Sequence, residues 1–438
     1  MKYIIELLLV IFLFACDNGN KGIKPNDPID VTTQLVADVY WSLSSTPARF
    51  EESNLLNDLT YGFNRSKISF YNVEHHVFHQ ENATMPAHIA VDEEQRMHHL
   101  SREIYEQELY PEREVAYGQP STIACLNIAF YPSERGPYNY DSHNVNFNGT
   151  LKQPEQRWGG MMQSIKIKEN ERFIEFWMME PFTSNENASM SGKMCINLGL
   201  VSEDILKDNL ASSELALYVE PNLSKVLSTW GYIVQNFNVS QFDDSNKRMK
   251  QDVGFDGLGN AEEEASFFSD FTNAIENKIS NDAFDKLKSD PSSDNYHYFL
   301  GNDYDQKELS IVDRYKDYCG PDGNSFLYTT PKSNFPDKED LNDDGQLSTE
   351  ERYNEFEINI NAQQFEIDKN YIDDIVYSDV DDFYGRKVKF YHFRIPIDQP
   401  SSNVGGSVSK NEMKFIRLYL TGFNSSVILR LVDLKLSE

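Results

Sequence analysis

Cysteine is scarce in this chain, with four in 438 residues. Beyond the N-terminal segment only Cys125, Cys195 and Cys319 remain, so one disulfide is the most they can form, and a disulfide-built scaffold is excluded. Cys125 and Cys195 both fall in strand-like runs; buried thiols are expected, and their pairing stays open. Basic residues are few as well: 40 Lys and Arg stand against 70 Asp and Glu, for a net charge of −30. Such a field repels phosphate backbones and argues against a nucleic-acid partner. Long apolar runs are missing. Leu7–Ala15 is too short to span a bilayer, and no series of roughly ten-residue amphipathic strands is present to build a membrane barrel. Tryptophan is rare (four), and no nucleophile elbow, P-loop or dinucleotide fingerprint occurs. Abundant acid pairs alone say nothing about hydrolysis, so a non-enzymatic protein is expected. No short-period repeat is visible.

What is present begins at the N-terminus. Lys2 and the apolar run, closing on Leu13-Phe-Ala-Cys16, read as a lipoprotein signal peptide over residues 1–15. Cys16 would carry the covalent lipid and become the first mature residue, giving a stable membrane anchor. Residues 16–31, rich in Asn, Gly, Lys, Pro and Asp, form a flexible tether.

The full chain has a mean hydropathy of −0.57, and Tyr and Phe outnumber Trp strongly, a bias suited to half-buried sheets. Residues 32–120 read as a mixed, partly helical region, with near-helical spacing of Met97, Leu100 and Ile104 in Glu93–Leu109. Residues 121–201 carry strand runs at Thr122–Tyr131, Arg172–Met179 and Lys193–Leu198. Residues 202–338 form an acidic insertion with helical stretches at Glu262–Asn277 and Asp282–Lys288. Residues 339–438 return to strands: Phe356, Ile358 and Ile360 alternate, as does Lys387–Ile397. Lys414–Leu420 and Val427–Leu436, separated by a short turn-like segment, predict a closing hairpin. The fold class is therefore mainly β, with jelly-roll or β-sandwich-like sheets, a helical acidic insertion and a mixed N-terminal region.

The strongest local motif is Asp340-Leu-Asn-Asp-Asp-Gly-Gln-Leu-Ser-Thr-Glu-Glu351, which fits the twelve-residue EF-hand loop. Asp340, Asn342 and Asp344 would offer oxygens to Ca2+, Gly345 the sharp turn, Gln346 its carbonyl, Ser348 a water-mediated contact and Glu351 both carboxylate oxygens. Leu347 would anchor the loop to the core. Its flanks lack the usual helices, so a single structural site is expected rather than a calcium switch. Six of the nine histidines fall between residues 75 and 99, and packing roles are expected of them rather than a metal site. Trp177 reads as core. Trp158, beside Gly159 and Gly160, reads as more open and is the candidate contact of a second reading, a surface glycan-binding lipoprotein.

Several uncommon phrases recur in order: Arg135-Gly-Pro-Tyr-Asn-Tyr140; Arg157-Trp-Gly-Gly-Met161 with Ile174–Pro181; Gln251–Gly257; and Phe415–Phe423. Asn197–Gly199, Ser202–Asp208, Asp290–Asp294, Tyr298–Gly301 and Phe393–Ile397 join them. Together they resemble the SprA/Sov family, the outer-membrane translocon of the Bacteroidota type IX secretion and gliding-motility machinery, over roughly residues 120–438. The resemblance implies an extracytoplasmic module of that machinery in an outer-membrane lipoprotein, on the periplasmic or cell-surface face. Translocon components would be its partners and the membrane would be reached through the lipid. Without barrel strands, the pore function does not transfer. An accessory, a paralogue or a split part of the translocon is implied.

Overall fold

The computed structural model describes residues 33–79, 84–113, 121–182, 190–214, 224–234, 242, 251, 253–262, 267–318, 336–381, 385 and 387–438. The signal peptide, Cys16, the tether and Cys319 lie outside the described residues. The strands are β1 (Thr33–Gln34), β2 (Ser42–Leu43), β3 (Ser66–Tyr71), β4 (Cys125–Arg135), β5 (Trp158–Ser164), β6 (Phe173–Met179), β7 (Ser191–Leu200), β8 (Lys225–Leu227), β9 (Tyr232–Val234), β10 (Arg352–Asn361), β11 (Ile372–Asp381), β12 (Lys387–Pro396), β13 (Ser402–Val404), β14 (Phe415–Thr421) and β15 (Val427–Ser437). The first sheet has the order β11-β12-β6-β15-β4-β3, with β1 also on β15; the second has the order β13-β10-β7-β14-β5-β2; β8 and β9 form a ribbon. All strand pairs are antiparallel.

The two large sheets share one core, which makes the architecture a β-sandwich. Alternation decides which side chains enter it. The first sheet contributes Leu126, Ile128 and Phe130 of β4, Ile174, Phe176 and Met178 of β6, and Phe393 and Ile395 of β12. The second answers with Met194, Ile196 and Leu198 of β7, Phe356, Ile358 and Ile360 of β10, and Ile416, Leu418 and Leu420 of β14. Burial of each such side chain is worth roughly 1.5–3 kcal/mol. In β15 the inward set switches from Leu429 and Leu431 to Leu434 and Leu436. A bulge causes the switch: the register against β6 shifts between Val432 and Lys435, and Asp433 takes a φ of 54°.

The first sheet is covered on its other face too. Ile104 and Leu109 pack over Trp177, Met179, Phe390 and Val432, while Phe299, Tyr315 and Tyr318 pack with Tyr71 and Ala129. Burial on both faces is why Phe176–Met179 reads as a continuous apolar run rather than an alternation.

Two expectations change. β14 and β15 do not form a hairpin: β14 pairs with β5 and β7, β15 with β4 and β6. Each strand has one apolar face, and facing each other across the core buries both faces at once. The segment Gly422–Ser426 crosses from one sheet to the other, as connections do in double-sheet jelly rolls. Likewise Glu93–Leu109 is not one helix. It holds two short ones, Glu93–Met97 and Glu106–Leu109. The turn between them is fixed by a buried Arg102–Glu108 pair at 2.7 and 2.9 Å. The insertion is helical at Ser269–Glu276 and Asn281–Lys288, close to where the sequence places helices. Among the described residues no helix is long and apolar enough to cross a membrane.

Irregular segments are fastened to the sheets by buried arginines that donate to backbone carbonyls. Arg65 reaches the carbonyls of Ser44, Pro137 and Ile205; Arg314 those of Phe299 and Leu309; Arg430 those of His99 and Arg102. A guanidinium has five fixed donors and can satisfy several acceptors at once.

Candidate functional site

The acidic loop begins where β10 is about to start. Asp340 accepts from the backbone N–H groups of Asp344 (3.1 Å) and Gly345 (2.9 Å), Asn342 from Asp344 (2.9 Å), and Asp344 from Gln346 (2.9 Å). Gly345 sits at a φ of 78°, where a side chain is strained. The loop thus brings Asp340, Asn342 and Asp344 around one exposed turn. Leu341, not Leu347, packs against the core cluster.

Glu203, which the loop motif itself does not contain, holds the loop at both ends. Its carboxylate accepts from Leu341 N (2.8 Å) and Ser348 N (3.0 Å), and its own N–H donates to the Ser348 carbonyl (2.7 Å). Burial pushes the Glu203 carboxyl above its ordinary value.

The last loop position departs from the expected ligand role. Glu351 accepts from Arg417 through both oxygens, at 3.1 and 2.9 Å, and from Ser202 N at 3.0 Å. Arg417 is fully buried; it also donates to Asn197 and Ser45 and lies 4.9 Å from the Tyr353 ring centroid. In β14 the inward residues feed the core, so Arg417 and Tyr419 project from the opposite face, and this turns Glu351 away from the loop. The first half of the loop thus gathers its oxygens at one turn, while Glu351 at the twelfth position is taken up by Arg417 and Ser202. Among the described residues no group of three His, Cys, Asp or Glu stands poised to hold a metal.

The same outer face carries a polar chain. Asn197 donates to Glu355 (3.0 Å), Tyr419 to Glu355 (2.7 Å), and Arg49 to Tyr419 (3.2 Å) and Glu357 (3.3 Å). Cys195 lies beneath it as a free thiol, pushed up to about 12 by burial. Cys125 is also free and belongs to the cluster on the far side of the first sheet, so the two thiols sit on opposite outer faces of the sandwich.

Trp158 is not open. It has no exposed surface, stacks on Phe50 with centroids 5.8 Å apart, and lies 5.4 Å from the Arg65 guanidinium. Gly159 and Gly160 are small because neighbours press from both sides: a Cβ at 159 would come 2.9 Å from the Phe130 ring, and one at 160 would come 2.8 Å from Tyr419 Cβ. The glycines admit packing rather than a ligand. Trp177 is core, as expected. The histidines disperse into local bonds. His79 meets the Ser101 carbonyl, His88 that of Leu309 and His99 that of Glu180, while His75 pairs with Glu103. Burial lowers His79 to about 4 and His99 to about 3, so both stay neutral at pH 7.

The uncommon phrases meet one another. Tyr138 N donates to the Ser292 carbonyl and its hydroxyl accepts from Phe255 N at 2.8 Å; Tyr140 and Asp256 both bond the Ser292 hydroxyl, at 2.8 and 2.6 Å. Arg135 donates to the carbonyls of Asn139 and Asp290. This junction joins Arg135–Tyr140, Gln251–Gly257 and Asp290–Asp294. Trp158–Met161 pairs with Leu418–Thr421, and Ile174–Met179 pairs with Phe390–Ile395.

Residues 270–438 match the family model described as motility related/secretion protein, SprA_N. This stretch is a module of the SprA N-terminal type. No curated protein matches the chain. The SprA-type stretch supplies β10 through β15, and among the strands that complete its sheets β5, β6 and β7 carry the phrases Arg157–Met161, Ile174–Pro181 and Asn197–Gly199. The match links the chain to motility and secretion machinery.

Proposed function

We propose that the chain is a non-enzymatic, lipid-anchored extracytoplasmic module of the type IX secretion and gliding machinery, attached through Cys16 and serving as an accessory, paralogue or split part of the translocon. The observation that carries this reading is the SprA-type match over residues 270–438. The convergence of the other phrases on the same sandwich supports it. The test is recovery of the tagged protein from native membranes: translocon components should copurify, and their absence from the eluate would sink the reading. Cys16→Ser should release the protein from the membrane fraction and abolish lipid labelling.

Calcium belongs to this reading as a structural ion. Asp340, Asn342 and Asp344, with the Gln346 carbonyl, would hold it, and its charge would neutralise the clustered carboxylates and stiffen the entry to β10. Calcium should raise the melting temperature, because an ion that binds only the folded state stabilises by mass action. Asp340→Ala should abolish that rise. Glu351→Gln, in contrast, should lower the melting temperature equally with calcium or with chelator, since its partner is Arg417. A parent protein that melts identically in calcium and in chelator would count against the ion.

A further inference from the structure

We propose that the outer face of the second sheet carries a saccharide-binding cleft centred on Phe50. This inference is independent of the secretion reading. The cleft has a volume of about 360 Å3 and lies where the turn Pro154–Gln156 meets the end of β14. That volume is at the small end of the range for small-ligand sites, roughly 300–1,000 Å3.

Phe50 lines the cleft as a half-buried ring. One side rests on the fully buried Trp158, and Tyr419 meets it edge-on with centroids 6.3 Å apart at 69°. The ring is thereby fixed before any ligand arrives, which lowers the entropy cost of binding. The negative face of an aromatic ring attracts weakly positive C–H groups, and the axial face of a pyranose presents a row of them.

Around the ring stand Arg49, Gln156, Lys193 and Asn359, which offer donors and acceptors in several directions. Two of them are held in place by one carboxylate: Glu357 accepts from Arg49 at 3.3 Å and from Lys193 at 2.6 Å. Lys193 holds the Glu357 carboxyl below its ordinary value, so the group stays ionised. Gly192 and Gly422 leave the cleft wall without side chains.

The charges select the ligand class. Arg49 and Lys193 are balanced by Glu357 and Glu155, so the cleft offers little net field to an ion. An apolar ligand would leave its polar rim unpaired on desolvation. A neutral polyol with an apolar ring face meets both demands. Trp158 acts here from beneath, as the support of the platform.

The test is affinity electrophoresis of the purified protein in gels containing laminarin, xylan or dextran, with heparin as the anionic control. At least one neutral polysaccharide should retard the parent. Phe50→Ala and, independently, the exposed Gln156→Ala should each weaken retardation at least fivefold, with unchanged circular dichroism for Gln156→Ala. No retardation by any neutral polysaccharide, retardation by heparin alone, or full retardation of the Gln156→Ala variant would each overturn the proposal.

Discussion

Glu351 stands between two demands, the loop that leads into it and the guanidinium beneath it. Arg417 has no exposed surface, so replacing Glu351 by Gln strands a buried cation. Losses of this kind cost about 3–5 kcal/mol, and urea unfolding of Glu351→Gln should show a drop of that order. Replacing Glu351 and Arg417 together by Leu and Met should recover part of it; a double variant no more stable than the single would argue against the ion pair. Nearby, Asp208 is raised from its ordinary value of 3.8 to about 6 by burial, with Asp204 and Glu339 raised beside it for the same first reason. The folded state holds these protons more tightly than the unfolded chain does. Between about pH 4 and 6 the unfolded Asp208 ionises first, so the Asp208 contribution to stability falls as pH rises through that window and levels above it. Asp208→Asn should flatten this part of the profile, measured as urea midpoints at pH 4.5 and 7. An unaltered slope would show that Asp208 does not contribute to it.

At the scale of elements, β5 owes its place to two missing side chains. Gly160→Val would drive branched carbons into Tyr419 and the Leu418 carbonyl, which lies 3.1 Å from the position of a Cβ. Overpacking of this kind costs roughly 1–3 kcal/mol, and thermal unfolding of the variant should fall accordingly; an unchanged midpoint would show that β5 can shift outward freely. Such strands were legible where one face alone is apolar: Phe356–Ile360 and Met194–Leu198 alternate in the sequence and line the core in the fold. The pairing of β14 was not legible. A short polar segment between two alternating strands fits both a hairpin and a crossing between sheets, and only the presence of a second sheet decides. The role of Glu351 was hidden for a related reason: spacing along a loop does not reveal a guanidinium arriving from a strand 66 residues later. Trp158 looked open because glycines usually accompany turns, whereas here they admit close neighbours.

At the scale of the molecule, the SprA-type stretch does not close upon itself. β10 pairs with β7, β12 with β6, β14 with β5 and β7, and β15 with β4 and β6. A fragment of residues 270–438 would expose the inner faces of β10, β12, β14 and β15 and lack their partners. It should be unfolded or aggregated by circular dichroism and sedimentation, whereas coexpression with residues 33–269 should restore a soluble complex. A fragment that folds cooperatively alone would contradict the interleaved topology.

The arginine fastenings reach further than stability. A carbonyl oxygen is the one acceptor that every residue type offers. A segment gripped through its carbonyls, such as Ser44 and Ile205 by Arg65 or His99 by Arg430, can exchange its own side chains and keep its path. The cost of change falls on the arginine instead. Saturation mutagenesis should therefore find wide tolerance along the gripped segments and almost none at the guanidinium that grips them, a division of labour that lets a surface diversify over a fixed frame.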